Sequence, residues 1–304
     1  MDLNVRANLS TAESFRIATH LHTVLLEETF RVTRWKNKDA VFHGGTSLKL
    51  AYDSLRLSED LDFMISPTAH SSLLSAAKPV ADKTRLIMKA HYPDCQIDFK
   101  VRQSQPGQSS VDVWDVRWTH PNRRGKVLVK MEFFRVDQDL LSEYSARMMA
   151  TLSGGEALRI TTPVPVAEIA ALWSDKVKAI ATRPAFKYRD AFDLAFIANR
   201  LSVSGTYPDD AKLTDNLLRA SSIYGKTPSD IVKGLQQYLE AGHFEDVSAF
   251  RENMRHWFDA DVYHSYDEAG LFESMLYSAR SEVEKGCRLL EEHLENSIAA
   301  GLKM

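Results

Sequence analysis

The chain has 304 residues, of which 44% are hydrophobic and 26% are charged, a balance typical of a globular protein with a sizeable core. Its 38 basic and 41 acidic residues give a net charge of -3, so the chain as a whole lacks the basic character of many nucleic-acid-binding proteins. The two cysteines form no C-x-x-C pair, and no signal peptide or long apolar run is present. These features argue against a disulfide framework and a membrane span, and we expect a cytoplasmic protein.

The first half of the chain alternates helical and strand-like patterns. Helical periodicity covers residues 11–31 and 71–91, and a shorter helix is predicted from Thr46 to Ser54. Strands are predicted at Ala40–Phe42, Leu61–Ile65, Gln96–Val101, Val111–Trp118 and Lys126–Phe134. The loop between the last two strands contains Pro121 and Gly125 and is typical of a hairpin. This mixture predicts an α+β domain with a mixed sheet.

Helical patterns dominate the second half of the chain. The boundary is predicted around residue 162, which divides the chain into an N-terminal α+β domain (1–162) and an all-helical C-terminal domain (163–304). The stretch from Glu268 to Ile298 has apolar residues at helical spacing. Such a stripe is either part of the core or a surface on which a partner docks.

Two acidic residues stand two positions apart in the predicted strand that ends at Ile65. Side chains alternate across a strand, so Asp60 and Asp62 project from one face while Leu61 packs on the other. Carboxylates this close repel each other unless a cation lies between them. Mg²⁺ prefers such oxygen ligands and usually shares them with substrate phosphates. The pattern predicts a magnesium site, with Mn²⁺ as the alternative ion; a solvated strand face is the alternative interpretation.

A glycine turn precedes these acidic residues by about fifteen positions. Gly44 and Gly45 let the backbone approach a ligand closely, and Thr46 and Ser47 open the helix that follows. The free N–H groups at a helix N-terminus, together with two hydroxyls, suit the triphosphate of a nucleotide. The order of strand, glycine turn, helix and acidic strand therefore predicts phosphates bound beside a metal ion.

A third carboxylate is expected in a two-metal site, and we assign it to Glu132. The strand that carries Glu132 presents Lys130 on the same face, so the two could instead form a solvent-exposed charged pair. If Glu132 is not the third ligand, Asp98 and Asp112 on neighbouring strands are the substitutes. The carboxylate would help to hold a second ion and activate an attacking hydroxyl.

The first helix of the C-terminal half carries a lysine on its apolar face. Lys176 falls near the centre of that stripe, whereas Lys178 is expected on the opposite side. In the next helix, Asp190 and Asp193 are three residues apart and share one face. A buried ammonium needs an anion, which is either a nucleotide phosphate or one of these aspartates. The first choice makes Lys176 and Asp190 active-site residues, and the second makes them a structural ion pair.

The chain closely resembles the AbiEii family of nucleotidyltransferase-like toxins, which includes the MenT toxins and belongs to the DNA polymerase beta-like superfamily. The likeness covers about residues 40–197 and is carried by four motifs: G-G-T-S-L with R-x-S-x-D-L-D-F (Gly44–Leu48, Arg56–Phe63), an acidic strand (Lys130, Glu132), K-x-x-A (Lys176–Ala179), and a basic residue with R-D-x-x-D-L (Lys187, Arg189–Leu194). The chain departs from the pattern at Glu132, where many relatives have Asp.

The resemblance implies a polymerase-beta-like nucleotidyltransferase fold followed by a helical domain. Members transfer a nucleoside monophosphate from an NTP to an acceptor, which in the MenT branch is the tRNA 3′ end, and they act as the toxin of a toxin–antitoxin or phage-defence system with an AbiEi-like antitoxin. By this resemblance the triphosphate is bound by Gly44, Gly45 and Ser47, the Mg²⁺ by Asp60 and Asp62, and a phosphate by Lys176, with Asp190 in support. Arg56 either contacts phosphate or forms a salt bridge, and Asp193 belongs to the same predicted substrate-binding set.

Two other classes of function remain open from the sequence. A non-catalytic nucleotide-binding or protein-interaction module could use the same fold, and D-x-D also occurs in sugar-nucleotide transferases, although these lack the preceding glycine turn. The basic residues proposed to contact RNA are Arg123, Arg124, Lys126, Lys178, Arg183, Lys187 and Arg189.

Overall fold

A computed structural model describes residues 6–104, 110–153 and 159–301, and their contacts divide the chain into two compact units. The sheet unit comprises Met1–Asp53, Leu57–Ser142 and Ala146–Ala167; the helical unit comprises Ser54–Arg56, Glu143–Ser145 and Glu168–Met304. The predicted boundary at residue 162 lies inside the last segment of the sheet unit. It remains a prediction that residues 1–162 form the nucleotidyltransferase domain and that the helical domain contributes Lys176 and Asp190 to the active site.

The sheet unit is built on a seven-stranded mixed sheet with the strand order β4-β5-β7-β3-β2-β11-β8. Its strands are β2 (Ala40–His43), β3 (Leu61–Ile65), β4 (Gln96–Arg102), β5 (Val111–Thr119), β7 (Val127–Arg135), β8 (Ala146–Met149) and β11 (Val164–Ala167). The pairs β3–β7 and β2–β11 are parallel, and the other pairs are antiparallel. Two short pairs lie outside this sheet: β1 (Ala7–Asn8) with β6 (Arg123–Arg124), and β9 (Leu152–Ser153) with β10 (Arg159–Ile160).

Two long helices cover one face of this sheet. The helices in this part of the chain are α1 (Thr11–Thr33), α2 (Gly44–Tyr52), α3 (Pro67–His91) and α4 (Gln138–Glu143). The ring of Phe30 on α1 lies 6.0 Å from that of Phe63 on β3, and His70 on α3 contacts Asp112 on β5 at 2.8 Å. Strand β5 alternates buried and partly exposed residues, as expected when helices cover only one of its faces. The opposite face of β5 and β7 therefore carries the polar side chains.

The described residues of the helical unit form seven further helices. They are α5 (Ile169–Thr182), α6 (Tyr188–Val203), α7 (Asp210–Ile223), α8 (Pro228–Glu240), α9 (Val247–Met254), α10 (Ala260–Glu268) and α11 (Leu271–Ala299). Leu276, Val283 and Leu290 of α11 are buried, so most of its apolar stripe belongs to the core, whereas Leu271 is 40% exposed. Helix α11 packs against α6, α7, α8 and α9. Within the described ranges, no helix has the length and apolar character needed to cross a membrane.

Candidate active site

The glycine turn places the start of α2 directly against Asp62. His43, the last residue of β2, is opposite Asp62 in the antiparallel pair β2–β3. Gly44 follows with φ +77°, a conformation that side-chain-bearing residues rarely adopt, and a Cβ at this position would overlap the Asp62 carboxylate. Glycine is therefore required at position 44 for two reasons: the backbone conformation and the space taken by Asp62.

The two hydroxyls at the start of α2 already donate hydrogen bonds. Ser47 Oγ donates to the Gly44 carbonyl at 2.8 Å, and Thr46 Oγ1 donates to the Asp60 carbonyl. Both side chains are buried. These bonds fix the turn and tie it to the residue before β3. The predicted binding of a triphosphate by Gly44, Gly45, Thr46 and Ser47 remains a prediction, and the N–H groups of the first helical turn are the donors best suited to it.

Asp62 and Glu132 are direct neighbours in the sheet. The parallel pair β3–β7 sets Asp62 opposite Glu132, so both side chains project from the same face, and Asp60 lies two residues before Asp62. All three side chains are half-buried. The register therefore brings Asp62 and Glu132 to one face of the sheet, and Asp60 lies next to them, directly before β3.

Burial and mutual repulsion act together on these carboxylates. Burial raises the pKa of Asp60, and the charge of Asp62 raises it further, against the opposing charge of Lys130. Burial likewise raises the pKa of Glu132, with further contributions from Asp62 and Asp60. A divalent cation would relieve this repulsion, so the chemistry of the three oxygen donors fits Mg²⁺.

The two substitute ligands are less well placed than Glu132. Asp112 is opposite Phe133, so it lies on the helix-covered face, where Ser104 and His70 bind its carboxylate. Asp98 is on the same face as Glu132 but on the edge strand β4, with half of its side chain exposed. In the part of the chain that the structure describes, no three acidic, His or Cys side chains are prearranged as a metal-binding group. The metal site is inferred from the shared face and the repulsion.

A buried cluster of charges in the helical unit surrounds Lys176. Its Nζ lies 2.9 Å from Asp190 Oδ1 and 2.7 Å from Asp193 Oδ2. Arg56 binds Asp193 through two hydrogen bonds of 2.7 and 2.8 Å, and Arg183 Nε lies 2.8 Å from the second oxygen of Asp190. The buried ion pair of Lys176 with Asp190 and Asp193, which was one of the two alternatives from the sequence, is thus present. Whether Lys176 and Asp190 also act on a substrate, and whether Arg56 and Asp193 contact one, remain predictions.

The charges in this cluster compensate one another. Burial disfavours the ammonium form of Lys176, but Asp190 and Asp193 outweigh this effect, and its pKa is raised. Burial acts in the opposite sense on Asp193, yet the charges of Arg56 and Lys176 lower the pKa of this carboxyl. Lys176 and Asp193 therefore stay ionised although both side chains are almost completely buried.

The proposed contact of Lys178 with RNA was wrong. This residue was expected on the opposite side of the helix from the apolar stripe and was counted among the RNA-contacting residues, but it is buried, with Nζ 3.1 Å from the centre of the Tyr224 ring. Helix α5 packs against α6, α7, α8 and α11, so its second side is covered as well. Burial lowers the pKa of Lys178 to about 8. Such a lysine is not available to a nucleic acid.

The sequence reasoning missed charged residues that share the face of Asp62. Lys100 and Arg102 on β4 and Asp115 and Arg117 on β5 lie on this face, as the cross-strand register shows. These residues alternate along two predicted strands, and this spacing was the signal that could have identified them. The sheet face that they share with Asp62 could be derived only once the pairing of the strands was known.

Comparisons with known proteins identify the family and the fold. A family model described as "Nucleotidyl transferase AbiEii toxin, Type IV TA system" matches residues 30–269, which include every predicted site residue. The crystal structure of JHP933 from Helicobacter pylori is similar, with a TM-score of 0.50 and 17% identity over 97% of this chain and 100% of that one. MenT4, a nucleotidyltransferase toxin from Mycobacterium tuberculosis, has a TM-score of 0.50 and 16% identity over 97% and 95% of the two chains. No curated protein matches the chain. At these identities the structural likeness shows the fold, which is the predicted polymerase-beta-like one.

Proposed function

The chain belongs to the AbiEii family of nucleotidyl transferase toxins of type IV toxin–antitoxin systems, and on this premise we propose that it transfers a nucleoside monophosphate from an NTP to the 3′ end of tRNA with the help of Mg²⁺. The family makes it a nucleotidyltransferase; the metal and the acceptor are the proposal. The observation that carries it is the common face of Asp60, Asp62 and Glu132 beside the Gly44 turn. Both proposed substrates are found in the cytoplasm, where we expect the protein to act.

The three carboxylates are the residues that would hold Mg²⁺, or Mn²⁺ as the alternative. When bound, such an ion supplies positive charge that stabilises the phosphates during transfer. Asp62 is fixed on both sides, by the Gly44 turn and by Glu132 in register. In this proposal two of the three ligands, Asp62 and Glu132, lie in paired strands, and Asp60 lies directly before β3.

The other parts of the site bind and orient the reactants. The first turn of α2 offers backbone N–H groups to the triphosphate, and the absence of a side chain at Gly44 leaves the Asp62 carboxylate in place. The acceptor hydroxyl attacks the α-phosphorus of the NTP, a new P–O bond forms, and the bond to pyrophosphate breaks. Glu132 is the carboxylate we propose to accept the hydroxyl proton, because it is half-buried and lies directly beside Asp62 in the sheet.

Lys176 needs one free donor for its proposed role. An ammonium has three N–H donors, and Lys176 directs two of them at Asp190 and Asp193. A phosphate contact would use the third, with Asp190 and Asp193 holding the side chain in position. In this proposal Arg56 supports Asp193 through its two hydrogen bonds, and its own contact with substrate stays a prediction.

The direct test is transfer of labelled nucleotide. The protein is incubated with each α-labelled NTP, Mg²⁺ and total tRNA, beside Asp62→Ala and the matched Asp98→Ala, which removes a carboxylate from the same sheet face at its edge. We expect the wild type and Asp98→Ala to label tRNA and Asp62→Ala to lose at least 99% of the label, on the scale of catalytic groups in such sites. Label in no RNA, with Mg²⁺-dependent NTP binding retained in calorimetry, would leave a nucleotide-binding module without transferase activity.

The proposed partner is an AbiEi-like antitoxin. Co-expression with the product of a neighbouring gene of that type should restore growth of cells that express this chain. Expression of the Asp62→Ala variant should not arrest growth, whether or not the antitoxin is co-expressed. Arrest by Asp62→Ala equal to that by the wild type would separate toxicity from nucleotide transfer.

A further inference from the structure

The polar face of the sheet continues from the carboxylates to the edge strand. Asp62 is opposite Glu132, Glu132 is opposite Val113, and Val113 is opposite Arg102. These four residues form one row across four strands. Neighbouring strands are about 4.8 Å apart, so the backbone at Arg102 lies roughly 14 Å from that at Asp62. A straight path thus leads from the metal ligands to the edge of the sheet.

Four basic side chains lie along this path. Lys100 is opposite Asp115, which is opposite Lys130, in the row next to that of Arg102. Arg117 belongs to the row beyond, opposite Asp98 and Leu128. We call Lys100, Arg102, Arg117 and Lys130 the basic ledge. All four share the face of Asp62 and Glu132, because residues paired across strands or two apart on a strand project to the same side.

The outer part of the basic ledge is open to solvent. The side chains of Lys100 and Arg102 are 64% and 59% exposed. Helices α1 and α3 lie on the opposite face, where Phe30 meets Phe63 and His70 meets Asp112. The ledge is therefore accessible to a ligand as large as a macromolecule.

The acidic residues on this face only partly neutralise the ledge. Lys100 lies 3.9 Å from Asp98, and Arg102 binds Asp115 through bonds of 2.6 and 3.0 Å. Solvent screens the exposed pair of Lys100 with Asp98, so a phosphate can compete for Lys100. The Nε atom of Arg117 is buried and has no hydrogen-bond partner among the described residues. Apart from Asp60, Asp62 and Glu132, which would face the proposed metal ion, this face carries four basic residues and the two acidic residues Asp98 and Asp115, an excess of two positive charges.

The ledge and the glycine turn lie on opposite sides of the carboxylates. In the strand order, β2 with the Gly44 turn is on one side of β3, and β7, β5 and β4 are on the other. An NTP whose triphosphate is bound at the turn would approach from the β2 side. The cations of the ledge are then in excess of what the NTP needs, and they lie where a second reactant would enter.

We propose that the basic ledge binds the phosphodiester backbone of a polynucleotide acceptor and directs its terminal hydroxyl to the carboxylates. This inference rests on the proposed function and names the surface that holds the acceptor. Asp60, Asp62 and Glu132 repel phosphates, so a polyanion needs compensating cations on the same face. A polynucleotide, with one phosphate per nucleotide, matches a strip of cations that extends across several strands.

The test is RNA binding by charge-reversal variants. Lys100→Glu/Arg117→Glu removes two ledge cations; Lys78→Glu/Lys83→Glu makes the same change in charge at exposed positions of α3, on the other face of the sheet. Binding of fluorescein-labelled total tRNA is measured by anisotropy over a series of salt concentrations. We expect the ledge variant to bind at least tenfold more weakly, with a slope of log K against log[salt] reduced by about 1–2. The α3 variant should match the wild type in both.

Two further measurements separate this inference from the proposed function. Calorimetry should show unchanged Mg²⁺-dependent ATP binding by the ledge variant, and its KM for tRNA should rise while kcat and the KM for NTP stay constant. Asp62→Ala should bind tRNA normally but fail in transfer. Failure of the wild type to transfer NMP would reject the proposed function.

Three results would overturn the ledge assignment itself. The first is an equal loss of RNA affinity in the ledge and α3 variants, since the effect would then be one of net charge. The second is wild-type affinity and salt slope in the ledge variant, or no tRNA binding by the wild type. The third is normal RNA binding combined with loss of neutralisation by the antitoxin, which would make the ledge a protein interface.

Discussion

Two groups of charged residues in this protein differ in how far their charges are compensated. The sheet unit collects three acidic side chains on a half-exposed face, and the pKa values of Asp60 and Glu132 are raised by burial and by one another. The helical unit buries its charges almost completely, but each anion meets a cation, and the pKa of Asp193 is lowered. In the first group, Lys130 compensates the three carboxylates only in part, whereas in the second group each carboxylate is paired with a cation. Only the carboxylates of the sheet unit therefore have the partly compensated negative charge that is typical of a cation-binding site.

The largest effect is expected where the compensated cluster is broken. Asp193→Asn leaves Arg56 and Lys176 without their shared anion, and loss of one partner in a buried pair costs about 3–5 kcal/mol of unfolding free energy. Urea denaturation measures this loss of unfolding free energy, with the exposed Asp215→Asn on α7 as a control expected to change stability by less than about 0.5 kcal/mol.

The stability that Asp193 contributes should also depend on pH. Because the folded pKa of Asp193 is lowered, this contribution is present above the ordinary carboxyl pKa and is lost as the pH falls through the lower value. Equal stability of the two variants would mean that the cluster contributes nothing net.

The opposite behaviour is expected for the carboxylates of the sheet unit. Glu132→Gln should reduce NMP transfer roughly 10²–10³-fold, as for loss of a general base, without lowering stability, because it removes one of three repelling charges. Asp98→Asn, on the same face but at the edge strand, should leave both properties unchanged. Transfer assays and urea denaturation of the same preparations give the two numbers. A Glu132→Gln enzyme with full activity would return the third ligand to Asp98.

The glycine turn allows backbone strain to be separated from the geometry of the site. Gly44→Ala and Gly205→Ala both place a Cβ on a residue with positive φ, at a cost of about 1–2 kcal/mol, but only the first Cβ meets the Asp62 carboxylate. We expect Gly44→Ala to lose about 10–100-fold in transfer rate, because Asp62 must shift. Gly205→Ala should retain its activity with a similar loss of stability. Equal activities would show that the position of Asp62 is not critical.

The smallest effect concerns two lysines of one helix. Lys178 is buried with a pKa lowered to about 8 from its ordinary 10.5, so the folded state loses stability as the pH falls from about 10.5 to about 8, and the full loss is present at pH 7. Lys178→Met should therefore be about 1–2 kcal/mol more stable than the wild type at pH 7, and the gain should shrink towards pH 10. Lys176→Met should be destabilised at pH 7, because Asp190 and Asp193 lose their cation. Thermal or urea unfolding at both pH values tests the pair; a Lys178→Met protein less stable than the wild type at pH 7 would contradict it.

Much of the sheet unit could be predicted from the order of residues alone. The strand Leu61–Ile65 has the predicted bounds, and α1 and α3 include the predicted helical ranges. Alternation within one strand is a local property, so the common face of Asp60 and Asp62 followed from the sequence. The pair of Lys176 with Asp190 or Asp193 was also among the predictions, because a buried ammonium demands an anion.

The sequence alone could not decide which of Glu132, Asp98 and Asp112 is the third carboxylate beside Asp62. Each lies on a strand, but which face a residue shares with Asp62 depends on strand order and register. The register sets Glu132 beside Asp62 and Asp112 on the reverse side. The basic ledge, with Lys100 and Arg102 on a strand three positions away from β3, depends on the same pairing.

By itself, the sequence determined the elements, the acidic pair, the glycine turn and the need of Lys176 for a counter-ion, because these follow from local periodicity and from the cost of burying a charge. Only the tertiary structure decided that Glu132 is the neighbour of Asp62 and that Lys178 is buried. The reason is physical: strand register and the packing of α5 on both sides are set by contacts between distant segments, and no local pattern records which segment will cover which face.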